Sequence, residues 1–187
     1  MMLNNFKNIV IKIGSTSIID PKTRTLKSKW IDDLCNDIAK IHKKKKIIIV
    51  CSGAIALGSK TISNKKILQR LEDKQAAAAI GQIELAYQWK QKLKKHRINT
   101  AQLLLTLDDS EIRRRYLNAR KTITSLHKKN VIPVINENDT VATEEIRYGD
   151  NDRLAARVAQ MIDADLLVLL SDVDGLYDSN PIKNKKA

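Results

Sequence analysis

Carboxylate and amide side chains are concentrated in one stretch of an otherwise basic chain, INENDTVATEEIRYGDND at residues 135–152. The chain of 187 residues carries 34 Lys and Arg against 21 Asp and Glu, which gives a net charge of +13. The stretch nevertheless holds three asparagines and six acids, Glu137, Asp139, Glu144, Glu145, Asp150 and Asp152. A carboxylate can bind an ammonium group, and amides can orient the other polar groups of the same ligand. Because the stretch directly follows an apolar strand, we interpret it as one wall of a pocket rather than a solvated loop.

The GDND end of this stretch also has a simpler explanation. Asp150 could be the N-cap of a helix, and Asp152 could lie near the positive end of the helix dipole. That explanation accounts for one or two carboxylates but not for INEND. We therefore select Asp139, Asn151 and Asp152 as candidate site residues. The other acids receive no site role, with Asp150 explained as a cap, Glu144 and Glu145 as loop exterior, and Glu137 undecided.

A second candidate is the turn CSGAIALG at residues 51–58, which follows a strand and opens a helix. Free N–H groups at a helix N-terminus favour a carboxylate or phosphate, Gly53 permits close approach of the backbone, and Ser52 adds a hydroxyl. On residue types alone, a plain turn capped by Ser52 is the favoured interpretation. Facing INEND, this turn would give a pocket one wall of N–H groups and one of acids and amides. That is the polarity of an α-amino acid.

The same segment is similar in sequence to a phosphate-binding loop. Residues 53–61 read GAIALGSKT, which is close to GxxxxGK[ST], but the lysine comes one residue late. The helix must also begin near Gly53, and not at the second glycine, for AIAL to pack on the sheet. We therefore reject a P-loop. The sequence has no GxGxxG either, so a dinucleotide site lacks its fingerprint.

Two further strand ends carry polar residues. Lys12 lies inside an apolar strand just before Gly14, where it could reach a phosphate that backbone N–H groups also approach. A lysine that snorkels from the strand end explains the position equally well. In SDVDG at 171–175, Ser171 and Asp172 could contact a ribose, a phosphate or a metal, although an ordinary Asp/Gly turn is favoured. Neither of these two features identifies a binding site by itself.

Cysteine and histidine chemistry is not favoured. Cys51 follows four apolar residues and has no adjacent histidine, so we expect a buried structural cysteine. The three histidines lack metal-ligand spacing, at His42, His96 and His127.

The elements that would hold these candidates form an alternating pattern. Most of the strand-length apolar runs are continuous, which is typical of strands covered on both faces. Alternation with helical patterns predicts an α/β fold, a three-layer α/β/α sandwich with a mainly parallel open sheet. Such sheets bind ligands at the carboxyl ends of their strands, where the candidates lie. The predicted strands are 8–13, 46–51, 100–106, 131–136 and 165–170. The predicted helices lie around 31–41, 74–95, 112–126 and 151–163, with Asp108, Asp109 and Ser110 as candidate caps of the third.

Length and composition predict one soluble domain, since 43% of the residues are hydrophobic. The N-terminus lacks a signal-peptide layout, and the apolar runs are too short to span a bilayer. Two cysteines do not make a disulfide framework, so we expect a cytoplasmic protein with reduced thiols and no membrane partner. The charge would suit nucleic acid, but aromatic residues are only 4%, which leaves little material for base stacking. We expect no nucleic-acid partner.

Taken together, the motifs resemble the glutamate 5-kinases of the amino acid kinase family. The family's motifs occur in order from about residue 7 to 181, as IKIGS, IIIVCSGAIALG, KQAAAAIGQ, YLNARKT, VIPVINENDTVATEEIRYGDNDRLAA and LLVLLSDVDGLYDSNP. The resemblance implies transfer of the ATP γ-phosphoryl group to the side-chain carboxylate of L-glutamate. The product would be L-glutamyl 5-phosphate for proline biosynthesis, with ATP and Mg²⁺ as cofactors. It also implies a homo-oligomer and proline as a feedback inhibitor.

The resemblance also implies roles for individual residues. Lys12 would contact ATP and steady the moving phosphoryl group, and Asp152 would organise the catalytic lysines. Ser52, Asp139 and Asn151 would bind L-glutamate. No metal ligand is assigned. The nucleotide would contact Lys12, Gly14, Ser15, Ser171 and Asp172, with Gly14 and Ser15 acting through backbone donors.

Two departures from the family matter. Cys51 stands where relatives often have serine or threonine, which we interpret as a packing change. The chain stops at NPIKNKKA, whereas family members continue with further strands and helices, a second catalytic lysine and often a PUA domain. We therefore expect residues 1–187 to be one amino acid kinase domain that is incomplete at its C-terminus and has no PUA domain. Three alternatives stay open: a non-catalytic module that binds glutamate or proline, a sister kinase acting on another acid or a nucleotide, and a nucleic-acid binder.

Overall fold

A parallel sheet forms the centre of the protein. The computed structural model describes residues 5–62, 68, 70–141, 150–173 and 175. The strands are ordered β3-β4-β2-β1-β5, and every neighbouring pair is parallel. This confirms the predicted parallel sheet, and all five predicted strands are present. They are β1 (Asn8–Ile13), β2 (Lys46–Cys51), β3 (Asn99–Leu105), β4 (Val131–Glu137) and β5 (Leu166–Leu170).

Helices supply the connections that parallel neighbours require. The four predicted helices are present as α2, α4, α6 and α7, and the helix expected to begin near Gly53 is present as α3. Among the described residues, no helix has the length and apolar composition needed to cross a membrane. The helices are α1 (Ser15–Ile18), α2 (Ser28–His42), α3 (Ala54–Ile62), α4 (Leu71–Lys94), α5 (Leu107–Glu111), α6 (Arg113–Lys128) and α7 (Asp150–Met161).

The sheet is covered on both faces because successive side chains of each strand point to opposite sides. Ile9 and Ile11 of β1 belong to one core, which also contains residues of α2 and α4. Val10 belongs to a second core, with residues of α6 and α7. The helical contributions to the first core include Ile31, Cys35, Ile38, Leu85, Trp89 and Leu93, and those to the second include Ala119, Ile123, Leu154, Ala155 and Val158. This confirms the three layers.

Central and edge strands differ in burial. In β1, β2 and β4 every residue after the first is buried, as continuous apolar runs predict. The outer strands β3 and β5 are only partly covered, and Leu169 of β5 is 54% exposed. The run DLLVLL predicted a strand covered on both faces. Leu166, Val168 and Leu170 pack against the first core and Leu167 against the second, but none of them is fully buried, so β5 is covered only in part.

Helices α3 and α4 cross in backbone contact at two glycines. A Cβ on Gly81 would lie 1.9 Å from the carbonyl oxygen of Ala54, and one on Gly58 would lie 1.8 Å from that of Ala77. No other residue fits at either position without separating the helices. The crossing therefore fixes the N-terminus of α3, which directly follows the Ser52 turn.

Residues 108–110 do not cap α6, so that prediction was wrong. They lie in the short helix α5, which has a capping box of its own. The Thr106 hydroxyl accepts from the Asp109 N–H at 3.3 Å, and the Asp109 carboxylate accepts from the Thr106 N–H at 2.8 Å. Asp109 thus takes part in the cap of α5, the nearer helix. Helix α6 begins after Ile112 without a side-chain cap.

Candidate active site

Four neighbouring strands end in polar residues at one edge of the sheet. Gly14 follows β1, Ser52 follows β2, Asn138 follows β4 and Ser171 follows β5. Because β4, β2, β1 and β5 are adjacent and parallel, their carboxyl ends lie side by side. The sequence candidates are thus brought to a common edge.

Lys12 is buried and ion-paired. Its side chain is 10% exposed, and its Nζ lies 2.7 Å from Oδ1 of Asp152, whose side chain is 49% exposed. A buried ammonium is tolerated in an apolar strand when a carboxylate compensates its charge. The pairing with α7 rather than with solvent excludes the snorkelling explanation. It joins two residues, 140 positions apart in sequence, to which the resemblance assigned catalytic roles.

Gly14 lies beside this cation but does not offer the donor expected of it. Its N–H donates to the carbonyl oxygen of Leu170 at 3.0 Å, because the turn continues the β1–β5 ladder by one residue. In this structure the Gly14 N–H is therefore already paired, and the contact of Gly14 with the nucleotide stays a prediction. A Cβ at this position would lie 3.6 Å from the Lys12 Nζ, so glycine keeps space open next to the ammonium. Ser15 begins α1, where N–H groups have no partner within the helix.

Ser171 and Asp172 line a groove of about 490 Å³ beside the end of β5. Both are exposed, and the Ser171 hydroxyl donates to Oδ1 of Asp172 at 3.2 Å. Trp30 and Lys27 also line the groove, and the Lys27 Nζ donates to the carbonyl oxygen of Thr16 at 2.7 Å. The groove thus combines a cation, hydroxyls and an aromatic face next to Lys12's strand.

The Ser52 turn has the geometry that the sequence predicted. The Ser52 N–H donates to the carbonyl oxygen of Ile13 at 3.1 Å, and its side chain is partly buried. Gly53 has φ of 115°, and a Cβ there would lie 2.5 Å from the Ile19 Cδ1, so the position requires glycine. Helix α3 begins at Ala54. This confirms the argument against a P-loop.

Asp139 is a carboxylate removed from water. It lies two residues after β4 and is partly buried. Burial raises the pKa of Asp139 to about 6, since desolvation penalises the charged form. A cation that binds next to the Asp139 carboxylate would stabilise its charged form and so offset the desolvation penalty. The site is therefore suited to an ammonium group.

Asn136 and Gln82 were not selected from the sequence. Asn136 is 2% exposed near the end of β4, and its Nδ2 donates to Oε1 of Gln82 on α4 at 2.6 Å. Among the described residues, Oδ1 of Asn136 and Oδ1 of Asn151 are buried without a hydrogen-bond partner. The available signal was a polar residue in an apolar strand, which is the same signal that identified Lys12.

The remaining acids of residues 135–152 were given no site role from the sequence. Glu137 is buried at the last position of β4. Asp150 is the first residue of α7, one place inside the predicted cap position. Glu144 and Glu145 lie outside the described residues.

Cys51 is buried, as expected of a structural cysteine. Burial raises the pKa of the Cys51 thiol to about 12, and that of Cys35 also to about 12. A thiol with so high a pKa is protonated at neutral pH and is not a nucleophile.

The sequence profile of the amino acid kinase family matches residues 7–187. The chain belongs to the amino acid kinase family. It is 54% identical over 186 residues to a glutamate 5-kinase of Bradyrhizobium diazoefficiens, an alignment that covers 99% of this chain and 50% of that protein. It is 57% identical over 180 residues to glutamate 5-kinase 1 of Rhizobium meliloti, covering 96% of this chain and 46% of that protein. The chain thus spans about half the length of the curated relatives it matches.

Solved structures support the fold assignment. The isopentenyl phosphate kinase of T. acidophilum, in its product complex, superposes with a TM-score of 0.65 at 16% identity, over 96% of this chain and 76% of that chain. The UMP kinase of Ureaplasma parvum gives a TM-score of 0.64 at 22% identity, over 96% of this chain and 73% of that chain. At these identities the likeness shows the amino acid kinase fold alone.

Proposed function

We propose that the protein is a glutamate 5-kinase, which transfers the ATP γ-phosphoryl group to the side-chain carboxylate of L-glutamate. The observation that carries the proposal is the ion pair between the buried Lys12 and the half-exposed Asp152, which holds a cation 2.7 Å from its partner at the binding edge of the sheet. The choice of glutamate is supported by relatives more than half identical over nearly the whole chain. The product, L-glutamyl 5-phosphate, is the first intermediate of proline biosynthesis.

The acceptor would lie between the β2 and β4 ends of the edge. Asp139, whose pKa is raised by burial, would bind the ammonium group of glutamate. Ser52 and the amide of Asn151 would bind its carboxylates. The side-chain carboxylate is already ionised at neutral pH, so the reaction needs no general base to activate it.

The principal difficulty of the reaction is electrostatic, because an anionic acceptor must approach a polyphosphate. Lys12 would offset that repulsion at the phosphoryl group, and Asp152 would hold the Lys12 ammonium in place. A cation that is already desolvated and oriented needs no reorganisation during the reaction. Positioning and charge stabilisation of this kind supply most of the catalysis in phosphoryl transfer.

The nucleotide would occupy the groove beside β5, against Ser171, Asp172 and the backbone of Ser15. Mg²⁺ would enter with ATP and shield its phosphate charge. Among the described residues, no three acidic, histidine or cysteine side chains form a metal-binding group. In magnesium–nucleotide complexes phosphate oxygens and water usually supply most of the ligands.

Three further proposals rest on the resemblance to relatives: a cytoplasmic location, assembly as a homo-oligomer and feedback inhibition by proline. That residues 1–187 form a single amino acid kinase domain, incomplete at its carboxyl end, stays a prediction.

The proposal is tested with the full-length gene product, MgATP, hydroxylamine and a panel of acceptors. Hydroxylamine attacks an acyl phosphate, so L-glutamate should give γ-glutamyl hydroxamate. Aspartate, N-acetylglutamate and UMP serve as comparison acceptors. Product from one of these acceptors but none from glutamate would replace this function with that of a sister kinase. Glutamate binding without turnover by any acceptor would favour the non-catalytic module.

A further inference from the structure

An amide pair joins strand β4 to helix α4 next to the candidate acceptor site. Asn136 lies three residues before Asp139, and its Nδ2 donates to Oε1 of Gln82 at 2.6 Å. Gln82 directly follows Gly81, the residue at which α4 contacts α3. The pair is therefore anchored to the same crossing that positions the Ser52 turn.

The pair leaves one buried acceptor without a partner. Oδ1 of Asn136 makes no hydrogen bond within the part of the chain that the structure describes, although the residue is 2% exposed. Folded proteins rarely leave a buried carbonyl oxygen unpaired, because its lost hydration is not replaced. Oδ1 of Asn151 is in the same condition. With the carboxylate of Asp139, this edge of the sheet offers three acceptors.

The chemistry of the proposed acceptor substrate identifies what these oxygens could accept. At neutral pH both carboxylates of L-glutamate are acceptors only, and its ammonium group is its only donor, with three N–H bonds. Oδ1 of Asn136 is complementary to that ammonium group and not to either carboxylate. If the side-chain amide of Asn136 were rotated by 180°, its NH₂ group would face the ammonium group. Both groups are hydrogen-bond donors, so no bond could form between them.

We propose that Gln82 is a positioning residue for substrate recognition. Its Oε1 accepts the hydrogen bond from the Asn136 Nδ2. Asn136 then presents Oδ1 to the ammonium group of the amino-acid substrate. This arrangement alone allows both bonds to form with the substrate in place. The inference rests on the proposed function, because it takes an amino acid as the acceptor substrate.

Three variants of the full-length protein separate this role from a general packing role. Gln82→Met keeps the length of the side chain and removes the acceptor. Gln82→Glu can only accept, so it compels the same orientation of Asn136. Gln88→Met is the matched control, since Gln88 lies on the same helix and its Nε2 donates to Glu84 Oε1 at 2.7 Å.

The measurements are kcat and KM for glutamate, and the inhibition constant of glutarate, which lacks the amino group. Gln82→Met should raise the glutamate KM about tenfold, the scale of one lost hydrogen bond, and leave kcat within about twofold. Its glutarate inhibition constant should match that of the wild type. Gln82→Glu should stay within about threefold of the wild-type KM, and Gln88→Met should be indistinguishable from wild type.

An unchanged glutamate KM in Gln82→Met overturns the inference, as does an equal rise in the glutamate KM and the glutarate inhibition constant. If Gln82→Met does not fold, Gln82→Ala replaces it under the same criteria, since alanine favours the helix. A wild-type protein that forms no hydroxamate from glutamate overturns the proposed function and this inference together. An active wild type with an unaffected Gln82→Met variant overturns only the inference.

Discussion

The substitution Gly81→Ala should weaken the use of glutamate as a substrate, although Gly81 lies outside the proposed acceptor site. The Cβ of Gly81→Ala would lie 1.9 Å from the carbonyl oxygen of Ala54 and 2.7 Å from the Gly58 N. Real Cβ contacts are essentially never shorter than 3.0 Å, so α3 and α4 must separate by about 1.1 Å at the crossing. Ala54 is the first residue of α3 and follows the Ser52–Gly53 turn directly. The separation therefore moves one wall of the acceptor pocket.

Two effects of the Gly81→Ala substitution on stability oppose each other. Replacing glycine by alanine inside a helix favours the helix by about 1 kcal/mol. Overpacking a close contact costs about 1–3 kcal/mol, and here the obstruction is backbone, which cannot rotate away. Because the obstruction is backbone, we expect the cost to lie in the upper part of this range, about 2–3 kcal/mol, so the free energy of unfolding should fall by about 1–2 kcal/mol. A displacement near 1 Å in an active site can reduce the rate about 100-fold.

Urea denaturation and glutamate kinetics of the full-length protein measure both effects of Gly81→Ala. Ala79→Ser is the control, since Ala79 is exposed on the same helix. The control should change the free energy of unfolding by less than about 0.7 kcal/mol and leave the kinetics unaltered. Gly81→Ala with wild-type stability and wild-type kcat/KM would refute the claim that this crossing positions the Ser52 turn.

Four further substitutions test charged or titratable groups that the structure places in unusual surroundings. Because burial raises the pKa of Asp139 to about 6, kcat/KM for glutamate should fall about tenfold per pH unit below pH 6, and Asp139→Asn should remove this dependence. Burial lowers the pKa of His42, so the unfolded chain binds the proton more readily and the free energy of unfolding should decrease as pH falls below about 6.5. His42→Gln should flatten that decrease in urea denaturation at pH 7.5 and 5.5. Lys92 is 4% exposed and its Nζ lies 2.8 Å from Asp32, so Asp32→Ala should destabilise by about 3 kcal/mol and Lys92→Met by less.

Each of these substitutions has a control on the same protein. An exposed carboxylate, Asp37→Asn, should leave the pH profile of kcat/KM intact and, because its pair with Lys40 is exposed, should cost less than about 0.5 kcal/mol. His96→Gln, which also removes one imidazole, is the control for His42→Gln. Lys92→Met that destabilises more than Asp32→Ala would contradict the argument that an unpaired buried ammonium is the costly state.

Local patterns predicted most of the fold. Strands β1 and β2 were predicted to the residue, because continuous apolar runs ending in polar turns are unambiguous for central parallel strands. Short helices escaped prediction, since α1 spans only Ser15–Ile18 and has no periodic apolar face to detect. The misplaced cap at 108–110 has the same origin, because a local capping box competed with the longer helical pattern.

The candidate site was predicted residue by residue, but not as contacts. Lys12 and Asp152 were both selected, yet only the packing of α7 against β1 shows that they form one ion pair. The hydrogen bond from the Gly14 N–H to the Leu170 carbonyl was not predicted, because it depends on how β5 aligns with β1. Gln82 ends the quoted motif KQAAAAIGQ but was given no role, because its contact with Asn136 depends on how α4 packs against β4.

The proposed reaction is tested most directly by following oxygen from the acceptor carboxylate. The full-length protein is incubated with MgATP, hydroxylamine and L-glutamate that carries ¹⁸O in both oxygens of its side-chain carboxylate. Phosphoryl transfer to that carboxylate, followed by attack of hydroxylamine at the carbonyl carbon, leaves one ¹⁸O in the released phosphate. We predict phosphate with a single ¹⁸O atom, in an amount equal to the hydroxamate formed. Unlabelled phosphate, released whether or not glutamate is present, would contradict glutamate as the phosphoryl acceptor.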